Sequence, residues 1–230
     1  MLKLVTYPAA FGQLSASPFC VKAAYLLNAS GMEWEREDTA DPRKAPYGKL
    51  PVLETPEGRV PDSDNIRAYL EQKGAQFDRR LSELDKSNAR AFIRMAEEHI
   101  YFHLVLDRWE NDAVWPLVRD TYFREIPRPL RGIVTGRIRR NVLTGLKQQG
   151  LGRLSHKDRS SKLETDLEAI TTRLWHGKFL FGDRPSAADA SVGPMLAAGV
   201  AIPVQTPLRD LIAQNDVLMR YIEQVQKAMG

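Results

Sequence analysis

The chain has 230 residues, 43% of them hydrophobic and 27% charged, with a net charge of +4 and a single cysteine, Cys20. This composition excludes a disordered chain and an internal disulfide framework; it suits one large domain or two compact ones in a reducing compartment, so a cytoplasmic protein is expected. The longest small-apolar run, Ala187 to Ile202, is broken by Asp189 and Pro194 and no signal peptide precedes Lys3, so no membrane span is expected.

Lys3-Leu4-Val5-Thr6-Tyr7 opens the chain as a β-prone run. Ser15-Ala16-Ser17-Pro18-Phe19-Cys20 then reads as the start of a helix that continues from Val21 to Asn28 and closes at Gly31. Serine is a favoured N-cap, and proline fits the first turn because its missing N–H has no partner there anyway. Such a start presents unpaired N–H groups and a partial positive charge, which stabilise a thiolate or carboxylate. An anion site is the sharp reading, and a capped helix without a ligand is the bland one.

Trp34 to Asp38 alternates as a strand, and Asp41-Pro42-Arg43-Lys44-Ala45-Pro46 is too proline-rich for a long helix. Gly48 to Glu54 reads as a short strand entered through Pro51, joined by Pro56-Glu57-Gly58 to Arg59-Val60 in a hairpin. Asp62-Ser63-Asp64-Asn65 caps a helix with Ile66, Tyr69 and Leu70 on one face, ending at Gly74. This order of elements predicts a thioredoxin-like domain over residues 1–75.

From Leu81 the spacing is helical, which predicts an all-helical second domain over 81–230. Ser82-Glu83-Leu84-Asp85 resembles a capping box, and Phe92, Met95, His99, Phe102, Leu106 and Trp109 mark one long amphipathic helix. Pro127 and Pro129 open a second helix to about Gln149; Ser155-His156-Lys157-Asp158 opens a third, striped by Leu163, Leu167, Ile170 and Leu174. Ser186 to Asp189 is a capping box before a buried small-residue helix, and Val217 to Met229 is the last. Residues 119–162 carry twelve basic and three acidic side chains. No aromatic residues interleave with those arginines as stacking platforms, so the segment reads as a solvated face and nucleic acid is not an expected partner.

Ser17-Pro18-Phe19-Cys20-Val21-Lys22, Lys49-Leu50-Pro51-Val52, Pro61-Asp62-Ser63-Asp64-Asn65-Ile66, Gly150-Leu151-Gly152-Arg153 and the run Phe179 to Asp189 stand in the order of landmarks in cytosolic glutathione transferases. The chain resembles that superfamily, and within it the branch of the failed axon connections (Fax) protein and metaxins. The resemblance implies glutathione as co-substrate, a small electrophile of unknown identity or a peroxide as second substrate, a detoxifying activity, a homodimer and no metal. It implies that Ser17 stabilises the glutathione thiolate, with Tyr7 as the second catalytic candidate and Ser15 close enough in sequence to be the donor instead. It also implies that Ser15, Phe19, Lys49, Leu50, Pro51, Asp62 and Ser63 line the glutathione site. Leu50 would pair through its backbone beside a cis Pro51, Ser63 would take the γ-glutamyl carboxylate, Asp62 its ammonium, and Lys49 the glycine carboxylate. Lowering a thiol pKa by two units takes about 2.7 kcal/mol. A charge-assisted hydroxyl bond of about 1.5–3 kcal/mol plus about 0.3–1 from a helix start suffices.

The rival readings are a non-catalytic metaxin-like binding or adaptor protein and a glutaredoxin-like oxidoreductase using Cys20. Cys20 stands second in a would-be Cys-x-x-Cys and is expected to face inward. His99 and His103 are four apart, with no third ligand in view, and read as core or pocket histidines. Tyr101, Trp109, Trp115 and Tyr122 read as pocket wall or as helix-packing core.

Overall fold

The computed structural model describes residues 1–230. Four strands, β1 (Leu2–Thr6), β2 (Trp34–Asp38), β3 (Val52–Thr55) and β4 (Gly58–Pro61), form one mixed sheet in the order β2-β1-β3-β4. β1 runs parallel to β2 and antiparallel to β3, with Leu4 opposite Leu53. The parallel pair needs a crossover, and α1 (Pro18–Ser30) supplies it. Gly31 ends α1 in the left-handed region (φ 71°), which a residue without Cβ enters without strain. α2 (Ser63–Gln72) packs on α1 and buries Ile66 and Leu70 completely. This is the expected thioredoxin-like arrangement. The strands differ at their ends: β1 stops before Tyr7, and β3 begins at Val52 and not at Gly48, just after the cis Leu50–Pro51 peptide.

The remainder is helical: α3 (Glu83–Met95), α4 (Tyr101–Trp109), α5 (Trp115–Tyr122), α6 (Arg128–Gln149), α7 (His156–Leu174), α8 (Ala187–Val200), α9 (Pro207–Ala213) and α10 (Asp216–Met229). The predicted single helix from Glu83 to Trp109 is divided by a π turn at Ala96–Ile100. Its deepest seam is Ala89, Ile93, Ala96, Ile100 and Leu104, whereas Phe92, Met95, His99 and Phe102 of the predicted stripe are only half-buried. The buried face already runs through Ala89 and Ile93 ahead of the π turn, so it lies one residue away from the large side chains that made up the predicted stripe. α5 and α9, eight and seven residues long, were not apparent from periodicity. Each is too short for a stripe to stand out.

One continuous core joins the two halves, running from Leu4, Leu26 and Leu53 through Ile93 and Leu163 to Val225. α8 is its axis: it is buried along nearly its whole length and packs against α1, α3 and α10. Small residues permit this close approach, since a Cβ at Gly193 would come within 2.6 Å of the Val225 side chain. The helix begins at the predicted capping box, where Asp189 accepts from the Ser186 amide (2.8 Å) and hydroxyl (2.7 Å), the Leu180 amide (2.9 Å) and the Tyr221 phenol (2.9 Å). The basic excess of residues 119–162 falls largely on α6, where Arg137, Arg140 and Lys147 are exposed and Arg139 is drawn back to the Trp109 carbonyl. No helix is long and apolar enough to cross a membrane.

Candidate functional site

The start of α1, the cis Leu50–Pro51 peptide and the start of α2 lie together at one end of the sheet. Leu50 packs in one cluster with Val5, Cys20, Ala45 and Val52, which places it against the first turn of α1. The Asp62 amide donates to the Pro51 carbonyl (3.2 Å), which ties the start of α2 to the same peptide. Asp62 has φ 77°, uncommon for a non-glycine residue, while its carboxylate accepts from the amides of Asp64 (2.9 Å) and Asn65 (3.4 Å). The cap is what holds a strained backbone, and such strain concentrates where ligands are held.

The groups left without partners define what this corner can receive. Leu50 is buried, yet neither its N–H nor its C=O makes a hydrogen bond within the protein. An unpaired N–H and C=O just before a strand can pair with an extended peptide. Ser63, also buried, uses neither its amide nor its hydroxyl internally. In the first turn of α1 the amides of Cys20 and Val21 both donate to the Ser17 carbonyl (3.0 and 3.2 Å) and Pro18 has no N–H. That leaves the Phe19 amide as the one donor of this turn without a backbone partner, fewer than a helix start ordinarily offers. Ser17 occupies the N-cap position without capping, so its half-buried hydroxyl is not committed to the helix.

The other residues expected here divide. The Ser15 hydroxyl donates to the Tyr7 carbonyl (2.8 Å) and accepts from Thr6 Oγ1 (3.2 Å) and the Ser17 amide (3.3 Å); it pins the loop and has no proton left to give. The Tyr7 ring packs on the Cys20 and Leu50 cluster, and burial pushes its phenol well up, so it stays protonated. Phe19 lies edge-on to Tyr101, ring centroids 4.8 Å apart. Lys49 is exposed and makes no ion pair. Cys20 is 1% exposed and burial raises its thiol, which removes both the access and the ionisation that thiol exchange requires.

Beneath the site, Lys22 is fully buried and donates to Asp64 (2.6 Å) and Glu97 (2.5 Å), binding α1 to α2 and to the π turn. Arg90 and Arg94 also reach Asp64, and these cations hold its carboxyl well below the usual range. Nothing in the sequence distinguished this network. Its members lie on four separate elements, and only Lys22 falling on an otherwise apolar stretch hinted at it.

An apolar wall faces the start of α1 from the helical half. Trp109 and Trp115 pack with centroids 5.2 Å apart, joined by Phe123, Val118 and Ile202, and Tyr122 packs on Phe11 of the β1–α1 loop at 5.9 Å. Trp109, Trp115 and Tyr122 thus share one cluster, while Tyr101 turns to the main core. Phe11, with φ 52°, was missed because it lies in a loop without pattern. Arg108 crosses between the two halves: its guanidinium donates to the Ala16 carbonyl (3.0 Å), the Tyr122 phenol (2.6 Å) and the Ala198 carbonyl (3.1 Å). His99 pairs with Asp166 (2.5 Å), and His103, whose imidazole pKa burial pushes down to about 4, packs edge-on against the His99 ring. No group of three metal-ligating side chains is present.

Residues 18–114 match the family model described as "Glutathione S-transferase N-terminal domain" and residues 163–225 the one described as "Glutathione S-transferase, C-terminal domain". The chain is 30% identical over 238 residues to isoprene-epoxide–glutathione S-transferase of Rhodococcus sp. strain AD45, covering 99% of this chain and 98% of that one. It is 29% identical over 167 residues to Metaxin-1 of Mus musculus, covering 69% of this chain and only 53% of Metaxin-1. Among solved structures, a glutathione transferase of Phanerochaete chrysosporium superposes with a TM-score of 0.63 at 21% identity, over 98% of this chain and 96% of that one. A glutathione S-transferase of Methylobacterium radiotolerans in complex with glutathione sulfonate gives 0.60 at 20% identity, over 99% and 94%. With the fold, both family models and a full-length relative in agreement, the chain belongs to the glutathione S-transferase family, with metaxins among its relatives.

Proposed function

We propose that the protein binds glutathione along the open Leu50 peptide and presents its sulfur to Ser17 for attack on a small electrophile. The observation that carries this reading is a buried backbone edge without partners, set between two helix starts whose Ser17 and Ser63 hydroxyls are uncommitted. The cysteinyl backbone of the tripeptide pairs with Leu50, its γ-glutamyl carboxylate meets the Ser63 amide and hydroxyl, and Lys49 takes the glycine end. Asp62 receives the γ-glutamyl ammonium. The Ser17 hydroxyl donates to the thiolate; Tyr7, whose phenol stays protonated, is the second candidate. Ser15 holds the loop that carries Ser17, and Phe19 supplies both an amide and an apolar flank. A serine forms no mixed disulfide, so the chemistry is addition or peroxide reduction, not thiol exchange.

The electrophile assigned first is a small epoxide, because the relative of nearly equal length carries that substrate class in its name. Thiolate sulfur bonds to a ring carbon, the C–O bond opens, and the alkoxide takes a proton from water. The aromatic wall from Phe11 to Trp115 suits an apolar molecule of that size. A homodimer and a reducing, cytoplasmic setting belong to the same proposal.

Retention on immobilised glutathione and a rise in melting temperature with added glutathione test binding. A chain that flows through and does not shift overturns the proposal. The metaxin resemblance supports a second reading, glutathione binding without turnover. It predicts retention together with no conjugation of an epoxide or an aryl halide.

A further inference from the structure

We propose that Arg108 is the built-in counter-charge for the anion formed at the start of α1, its missing partner being the sulfur anion of the bound tripeptide. The inference rests on the glutathione reading of that corner and adds the group that makes the corner select a charged sulfur.

Arg108 is 6% exposed, and no carboxylate lies within ion-pairing distance of it. Its three acceptors, the Ala16 and Ala198 carbonyls and the Tyr122 phenol, are all neutral, and its Nε has no acceptor at all. A buried cation in that state is unusual, because a charge withdrawn from water is normally paired. The other fully buried cation of this protein, Lys22, follows the rule with two carboxylates at 2.6 and 2.5 Å. The carboxylate nearest in sequence, Asp107, is turned away and accepts from the Leu208 amide (3.3 Å) at the start of α9. The rings of Phe11 and Tyr122, each with its centroid 6.0 Å from the guanidinium, offer partial compensation only.

Position gives this deficit its meaning. One Nη of Arg108 is bonded to the carbonyl of the residue before Ser17, so the unpaired charge stands behind the thiolate corner, walled from water by Phe11, Tyr122 and α8. The tyrosines and the cysteine nearby supply no anion: Tyr101 and Tyr122 on the helical side, and Tyr7 and Cys20 on the sheet side, are kept protonated by burial. The one carboxylate in electrostatic reach is Asp107, which accepts from the Leu208 amide and forms no ion pair with Arg108. Two positive elements, the start of α1 and the guanidinium, therefore meet at the Ala16–Ser17 peptide. A purely structural Arg108, stapling Ala16 to Ala198, would hold the fold equally well for a neutral or a charged ligand.

Ligands of fixed charge separate these roles. By calorimetric titration, the wild-type chain is expected to bind glutathione sulfonate, anionic at the sulfur, more tightly than S-methylglutathione, neutral there. In Arg108→Met that preference falls by about tenfold or more while S-methylglutathione affinity changes less than twofold; Arg108→Lys, which keeps a charge but not the fork, falls between. In the same proteins the pH at which bound glutathione acquires thiolate absorbance rises in the order wild type, Lys, Met. Should Arg108→Met fail to fold, the Lys variant and the wild-type preference still decide. An unchanged ratio of the two affinities, or an equal loss of both, overturns the role of Arg108 and leaves the glutathione site standing. Wild-type protein that binds neither ligand overturns the glutathione reading and this inference together.

Discussion

Replacing Lys22 by methionine removes the cation at the centre of the interdomain network while nearly preserving side-chain volume. In the native protein the ammonium sits 2.5 Å from Glu97 and 2.6 Å from Asp64, with side-chain exposures of 1%, 4% and 24%. Asp64 keeps Arg90 and Arg94, but Glu97 is left with the Ser191 hydroxyl (2.7 Å) and Arg94 at 3.4 Å. Breaking a buried pair by deleting one partner costs about 3–5 kcal/mol, because the remaining charge is uncompensated. For a chain of this size that lowers the melting temperature by roughly 10 °C. The double variant Lys22→Met, Glu97→Gln, which removes the uncompensated charge as well, is expected to recover a substantial part of it. Urea unfolding of the wild type and both variants measures this. A loss under about 1 kcal/mol, or one not relieved by the second change, would refute the account of a charge network holding α2 against α1.

Ser17→Ala is expected to leave glutathione retention intact while conjugation at pH 7 falls by roughly 10- to 100-fold, the worth of a charge-assisted hydroxyl bond, with a smaller loss at pH 9 where the thiol ionises unaided; equal losses at both pH values count against a thiolate-stabilising role. Asp189→Ala leaves four buried donors unsatisfied at the start of α8 and removes the Tyr221 anchor. At about 1–3 kcal/mol per unsatisfied group, little soluble protein should accumulate. Burial is the main cause that raises the Asp107 carboxyl to about 6, above its ordinary value, so the folded state holds this proton more firmly than the unfolded one, and the contribution to stability falls as pH rises from about 4 to about 6. Asp107→Asn, which keeps an acceptor for Leu208 without the charge, should therefore raise the melting temperature at pH 7.5 and change it little at pH 4; a rise of the same size at both would sink that explanation.

Which parts of this protein were legible in its residues follows from the range of the interactions involved. The starts of α2, α7 and α8 were readable, because a cap is settled within four residues: Ser155 bonding the Asp158 amide and Ser186 sharing bonds with Asp189 are short-range facts written in adjacent letters. The start of α1 was readable from Pro18 at its first position, since Ser17 makes no cap bond. The element order of the first half was readable too, and the hairpin and the strand-helix-strand crossover leave few topologies for it; the strand order β2-β1-β3-β4 came from the structure. The candidate positions Ser17, Leu50, Pro51 and Ser63 could be named, but that they converge depends on the Asp62–Pro51 hydrogen bond and the packing of Leu50 on Cys20, contacts between separate segments.

What the linear chain withheld was charge balance in the interior. Lys22, Asp64, Glu97 and Ser191 are scattered over 170 residues, and Arg108 is one of many arginines until its surroundings show that it has neutral partners only. Whether a charge is paired depends on the side chains that the fold brings within a few ångströms and on the water it removes, and local patterning carries neither. Hydrophobic period and capping decided where helices and strands begin; only their packing decided which buried groups found partners inside the protein and which did not.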